Sequence, residues 1–166
     1  MATPPPRPPY AIAHLDDIPA TAYDGSHGFD EVGATRDLLG CLGALEREAR
    51  LLVKLHPLQP VEPLRSLLAA SPQTIVVPAH VADVPELIHA SDIVVGFFSN
   101  LLLEAEALKR PVLRYYPGNR ASDPLAHLML GTIAGSASEL ATELGRLCAL
   151  AVRAREMRAR EMKDRS

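Results

Sequence analysis

The sequence predicts an α/β domain: one doubly wound, mostly parallel sheet of five or six strands with helices on both faces. Three observations predict it. Short apolar runs alternate with longer amphipathic stretches four or five times from Tyr10 onward, the pattern of repeated βα units. The run Asp92-Ile-Val-Val-Gly-Phe-Phe98 is nearly all apolar, as a strand covered on both faces must be. Prolines at Pro57, Pro78 and Pro117 close such runs, because proline cannot continue a central ladder. Together these describe a Rossmann-like domain. Right-handed crossovers then carry the strand C-termini to one rim, where ligands bind in such sheets.

Taken in order, Tyr10–Leu15 is the first strand, followed by a Gly/Asp/Ser loop that includes Asp24-Gly-Ser-His-Gly28. Residues 31–50 read as a helix with Leu38, Leu39, Leu42 and Leu45 on one side. Arg50–Leu55 is the second strand, 61–70 a short helix and Thr74–Val77 the third strand. Asp83-Val-Pro-Glu86 opens a helix that ends near Ala90: Asp caps, Pro sits in the first turn and Glu reaches back. Residues 92–98 form the fourth strand, 100–109 a helix and 111–116 the fifth strand. The spacing predicts a helix over 123–130 and a short sixth strand over 131–134. Ser136-Ala-Ser-Glu139 is a capping box that opens the last helix, with Leu140, Leu144, Leu147 and Ala151 facing the core. Beyond Val152, Arg-Ala-Arg-Glu-Met occurs twice in tandem, at 153–157 and 158–162, and predicts a charged, solvated helical tail leaving the domain.

A chain of 166 residues suits one domain, and 48% apolar with 22% charged residues is a globular composition. The division is a proline-rich leader over 1–9, a domain over 10–152 and the tail over 153–166. The leader carries no apolar segment of a secretory signal. No run approaches the roughly 20 apolar residues of a membrane span, so the expected location is cytoplasmic. A net charge of −3 does not favour nucleic acid or an anionic membrane as a partner. The two cysteines, Cys41 and Cys148, read as buried thiols, and the six scattered histidines have no metal-ligand spacing. No metal and no cofactor are expected.

Three clusters follow predicted strands on the ligand rim. Lys54 and His56 end the second strand on the same side, and an ammonium with an imidazole can hold phosphate oxygens, although a single His at a strand end is also an ordinary structural hydrogen-bonding residue. Ser99 and Asn100 open the helix after the fourth strand, where free N–H groups and the helix dipole favour an anion, although Ser99 is also an ordinary N-cap. Glu104, one turn on, can accept hydrogen bonds from ribose hydroxyls, or is simply a solvent-facing helical residue.

In order along the chain, Leu52-Val-Lys-Leu-His-Pro57, Asp83 to Ala90, Ser91-Asp-Ile-Val-Val95, Ser99 and Glu104-Ala-Glu-Ala-Leu-Lys-Arg-Pro-Val112 resemble the C-terminal, donor-binding half of GT-B fold glycosyltransferases. The flavour is that of bacterial surface-polysaccharide and glycerophosphate-type transferases and the related nucleotide-sugar 2-epimerases. The resemblance implies a nucleotide-sugar donor as substrate, with His56 and Ser99 on the diphosphate, Asn100 assisting, Glu104 on the ribose and Lys54 as a further phosphate contact. It also implies a second domain or a separate acceptor-binding subunit for transfer. Lys109 departs from the pattern, standing where those proteins usually have Gly. Two other readings compete: a non-catalytic or decayed nucleotide-sugar-binding module (or epimerase-like half), and a flavodoxin-like or receiver-type domain. The last would use Asp16 or Asp17 as phosphoacceptor and needs a Lys near the fifth strand, where the sequence offers only Arg114 inside the strand.

Overall fold

A computed structural model describes residues 10–15, 28–45, 49–55, 62, 64–77, 83–97 and 99–164, with the backbone alone described for 10–15 and 55. Six strands form one parallel sheet in the order β3-β2-β1-β4-β5-β6. They are β1 (Tyr10–Leu15), β2 (Arg50–Leu55), β3 (Thr74–Val77), β4 (Ile93–Gly96), β5 (Val112–Tyr115) and β6 (Thr132–Ala134). The helices are α1 (Glu31–Gly43), α2 (Leu64–Ala69), α3 (Val84–Ala90), α4 (Asn100–Ala107) and α5 (Ala137–Asp164). This is the Rossmann-like doubly wound sheet that the alternation of elements predicts. Its order excludes the flavodoxin or receiver reading, in which β1 would lie between β2 and β3; here β1 pairs β2 on one side and β4 on the other.

The period-2 alternation of side chains divides the core into two layers. Leu51, Val53, Ile93, Val95, Leu113 and Tyr115 face α1, α2 and α5 in the larger cluster. Val94 and Val112 face α3, α4 and Leu130 in the smaller one. The Tyr115 hydroxyl donates to Asp37 Oδ2 at 2.6 Å and so ties β5 to α1.

Local chemistry sets the helix boundaries. Asp30 caps α1, accepting from Gly33 N at 2.6 Å, and Asp83 caps α3, accepting from Glu86 N at 3.4 Å. α1 ends at Gly43, with Ala44 as C-cap, rather than running to 50. Gly40 and Gly43 weaken its last turn, since glycine is the poorest helix former after proline. The Ser136–Glu139 box forms with one variation. Ser136 Oγ accepts from Glu139 N, but the Glu139 carboxylate reaches one residue further back, to Gly135 N at 2.7 Å.

A further expectation is corrected. Residues 123–130 are not helical: a 3-10 turn covers Arg120–Ser122, and i→i+3 bonds from Ala126 to Asp123 and from Leu128 to Leu125 make successive turns. Asp123-Pro124 looks like a helix start, but the Asp123 carboxylate is engaged by Arg114 and by Leu125 N instead of capping a regular turn. The charged stretch beyond 152 continues the last helix. α5 is continuous for 28 residues, about 42 Å at 1.5 Å per residue, and Arg155 is bound to Asp92 at the foot of β4.

Among the described residues no helix is long and apolar enough to cross a membrane. Both cysteines are free and buried.

Candidate functional site

In a doubly wound sheet the strands on either side of the order reversal send their connections to opposite faces, and a crevice opens between them. Here that point lies between β1 and β4, and the elements that shape its rim are the C-terminal ends of β1, β2 and β4 with the start of α4.

Register locates the predicted residues on this frame. Val77, Lys54, His14, Gly96, Arg114 and Ile133 form one transverse row across all six strands. Lys54 alternates with Val53 of the larger core and Arg114 with Leu113, so both cations lie on the α3–α4 face, three strand steps or about 14 Å apart. Gly96, between them in the row, brings no side chain.

Lys54 is only 7% exposed. Among the described residues neither a carboxylate nor a carbonyl pairs with its ammonium. Burial of a lysine side chain is costly unless its charged end reaches solvent or meets an anion. Arg114, by contrast, is fully engaged. Its Nε donates to Phe97 O at 3.2 Å, one terminal nitrogen to Leu125 O at 3.4 Å and the other to Asp123 Oδ1 at 2.5 Å. The side chains of this ion pair are 3% and 2% exposed.

Ser99 is buried, and its hydroxyl caps α4 by accepting from Leu101 N at 3.2 Å. Asn100 and Glu104 are exposed and one turn apart, on the side of α4 away from the buried Leu101, Leu102 and Ala105. The fold therefore brings Ser99, Asn100 and Glu104 together at the start of one helix, with Lys54 across the switch point on the same face of the sheet. His56 lies outside the described residues, as do Asp16, Asp17 and residues 24–27 of the first loop.

Sequence reasoning missed two parts of this region. The Arg114–Asp123 pair is one. The other is an aromatic cluster in which Phe29, just before the α1 cap, meets Phe97 at 5.3 Å and Tyr116 at 4.9 Å between ring centroids, both edge-on. The charge inside an otherwise apolar Val-Leu-Arg-Tyr-Tyr strand was the available signal for the first. Lys109 adopts φ 55°. It closes α4 as a Schellman turn, with Arg110 N bonded to Ala105 O and Lys109 N to Glu106 O, both at 2.9 Å. The Gly pattern from which Lys109 departs thus falls on a left-handed position.

Among the described residues no group of three or more His, Cys, Asp or Glu is placed to hold a metal. A cavity of about 410 Å³, lined by Lys109, Arg110, Val112, Gly131 and Thr132 among others, lies at the opposite end of the sheet, below the N-terminal ends of β5 and β6.

No protein-family model and no curated protein sequence matches this chain. Solved structures do. A variant of the wall teichoic acid polymerase TagF soaked for 30 minutes with CDPG matches with TM-score 0.60 and 20% identity, over 90% of this chain and 35% of that one. A second TagF variant matches with TM-score 0.57 and 20% identity, over 90% of this chain and 37% of that one. A third gives 0.55 and 18%, with the same two coverages. The chain spans about a third of the length of these structures. At this identity the likeness carries the fold: a GT-B-like half-domain.

Proposed function

We propose that this chain is the donor-binding half of a GT-B type glycosyltransferase, taking a nucleotide-activated sugar at the C-terminal rim of the sheet. The observation that carries this reading is Lys54, a lysine only 7% exposed and with no partner among the described residues, beside the switch point. An anionic diphosphate would supply the missing counter-charge. The α4 N-terminus adds the positive end of a helix dipole, which favours anions, with Ser99 accepting from the N–H groups of Leu101 and Leu102. In this scheme Ser99 and Asn100 meet the diphosphate, Glu104 accepts from the ribose and His56 adds an imidazole from the end of β2. The likeness to TagF structures, one of them soaked with CDPG, supports an activated phosphate donor.

Transfer needs a second α/β domain to carry the acceptor, from the same polypeptide or another chain. The proposal places the protein in the cytoplasm, where two buried thiols stay reduced. A non-catalytic or decayed nucleotide-sugar-binding module is the alternative. Lys109, a residue with a side chain in a left-handed turn, is the feature that favours it.

Calorimetry against CDP, UDP, GDP and dTDP, their sugars and CDPG tests the reading. Binding in the micromolar range is expected for one base, with loss on Lys54→Met, His56→Ala and Glu104→Ala. A well-folded protein that binds none of them sinks it. Transfer or hydrolysis by this chain alone would contradict the requirement for a second domain.

A further inference from the structure

We propose that Arg114 and Asp123 are a positioning pair that fixes the end of β4, and through it the Ser99-capped N-terminus that α4 turns toward the crevice. The ligand arm of this proposal rests on the donor-binding reading above.

Arg114 belongs to β5, one strand away from the turn it controls. Its Nε–H donates to the carbonyl of Phe97, the residue that follows β4 and lies two before the Ser99 cap. The ring of Phe97 is clamped from elsewhere, edge-on against Phe29 at the entry to α1. Residue 97 is thus held at both its carbonyl and its side chain, two positions before the Ser99 cap. The remaining guanidinium nitrogens reach Leu125 O and Asp123 Oδ1, and the same Oδ1 accepts from Leu125 N at 3.0 Å. One planar cation therefore fixes the β4–α4 turn to the 123–125 turn, with donors in a rigid fork.

Packing alone does not explain a charge pair here. Both side chains are nearly inaccessible, and apolar residues of similar volume serve a core as well or better than a buried ion pair. What apolar residues cannot do is hold a carbonyl in place.

The test uses the full chain. The double variant Arg114→Met with Asp123→Leu replaces the pair by apolar volume. It is expected to melt within a few degrees of the parent, with amide hydrogen exchange at Leu101 and Leu102 faster by about tenfold while exchange at Leu144 in α5 is unchanged. Affinity for the nucleoside diphosphate that the parent binds best is expected to fall by about tenfold. Arg114→Lys, which keeps the charge and loses the fork, is expected to fall between the two.

Parental exchange at Leu101 and Leu102 in a stable double variant overturns the proposal, and so does parental affinity. If the double variant does not fold, Asp123→Asn decides by the same exchange ratio. If the parent binds no nucleoside diphosphate, the donor reading fails, while the exchange ratio still decides whether the pair positions the turn.

Discussion

Arg155 in the second half of α5 grips Asp92 at the foot of β4 with two nitrogens: Nε lies 3.1 Å from Oδ1, and a terminal nitrogen bonds Oδ2. The pair is mostly shielded, at 22% and 11% exposure. It anchors a helix whose following residues, 156 to 164, are all exposed. Arg155→Ala is expected to cost about 1–3 kcal/mol, because it strands a partly buried carboxylate. Denaturant unfolding measures that loss, and trypsin cleavage within 156–163 should accelerate. Arg155→Lys should lose most of the stabilisation, since an ammonium cannot reproduce the two-pronged contact.

Lys109→Gly is expected to stabilise the domain by about 0.5–1 kcal/mol. It relieves the left-handed backbone of a residue with a Cβ, partly offset by the greater entropy of glycine when unfolded. Thermal unfolding reads this as a rise of a few degrees. No change, or a fall, would mean that the Lys109 side chain contributes something that the turn geometry does not reveal.

Gly131 is the opposite case. It sits at φ 58°, and an added Cβ would lie 2.3 Å from Val112 O and 2.7 Å from Val112 Cβ. Both obstacles belong to a buried strand residue. Gly131→Ala should therefore cost about 3 kcal/mol or more, seen as a lowered denaturation midpoint or failure to accumulate folded protein.

Lys54→Met should have opposite effects on stability and binding. Replacing a largely shielded lysine by an apolar side chain of similar length raises stability by up to about 1 kcal/mol, and the same change abolishes nucleoside diphosphate binding. Joint measurement of melting temperature and affinity checks both. A destabilised variant would show that the ammonium has a partner in the native protein.

Alkaline pH should weaken the fold. Burial, with the Asp92 carboxylate adding to it, pushes the Cys148 thiol up from 9.0 to about 11. Burial and the neighbouring Asp37 likewise raise Cys41 and, with the Asp37 hydrogen bond, Tyr115. A raised acid keeps its proton in the native state while the unfolded chain has already lost it. The stabilisation is complete below pH 9 and is lost as pH climbs toward 11. For Cys148 the loss is about 2 kcal/mol. Unfolding free energy followed from pH 8 to 11 should fall, and Cys148→Ala should flatten the slope whatever it does to stability at pH 8.

The strands were legible because apolar runs act locally: β2 and β3 are the apolar runs that precede Pro57 and Pro78 in the sequence. The helix ends were less so. Apolar spacing runs past Gly43 to Leu45, while α1 stops at the glycine. Asp123-Pro124 carries a valid helix-start signal, overridden by a guanidinium from another strand. At the site, the positions of Ser99, Asn100 and Glu104 on one helix follow directly from sequence spacing. The burial of Lys54 does not, because alternation gives the face a residue takes and not what covers that face.

The strand order has a consequence for how the chain can be assembled. β1 occupies the middle of the sheet, and its register aligns Ala11 with Ile93, a closure of about eighty residues. β1 is synthesised well before β4 and thus waits, with one ladder edge open, until the intervening residues have been made. Contacts this distant in sequence slow folding. The interval with an open edge is when chaperone binding or mispairing with another nascent chain competes most strongly, and cuts that separate β1 from β4 should yield fragments that become structured only when recombined.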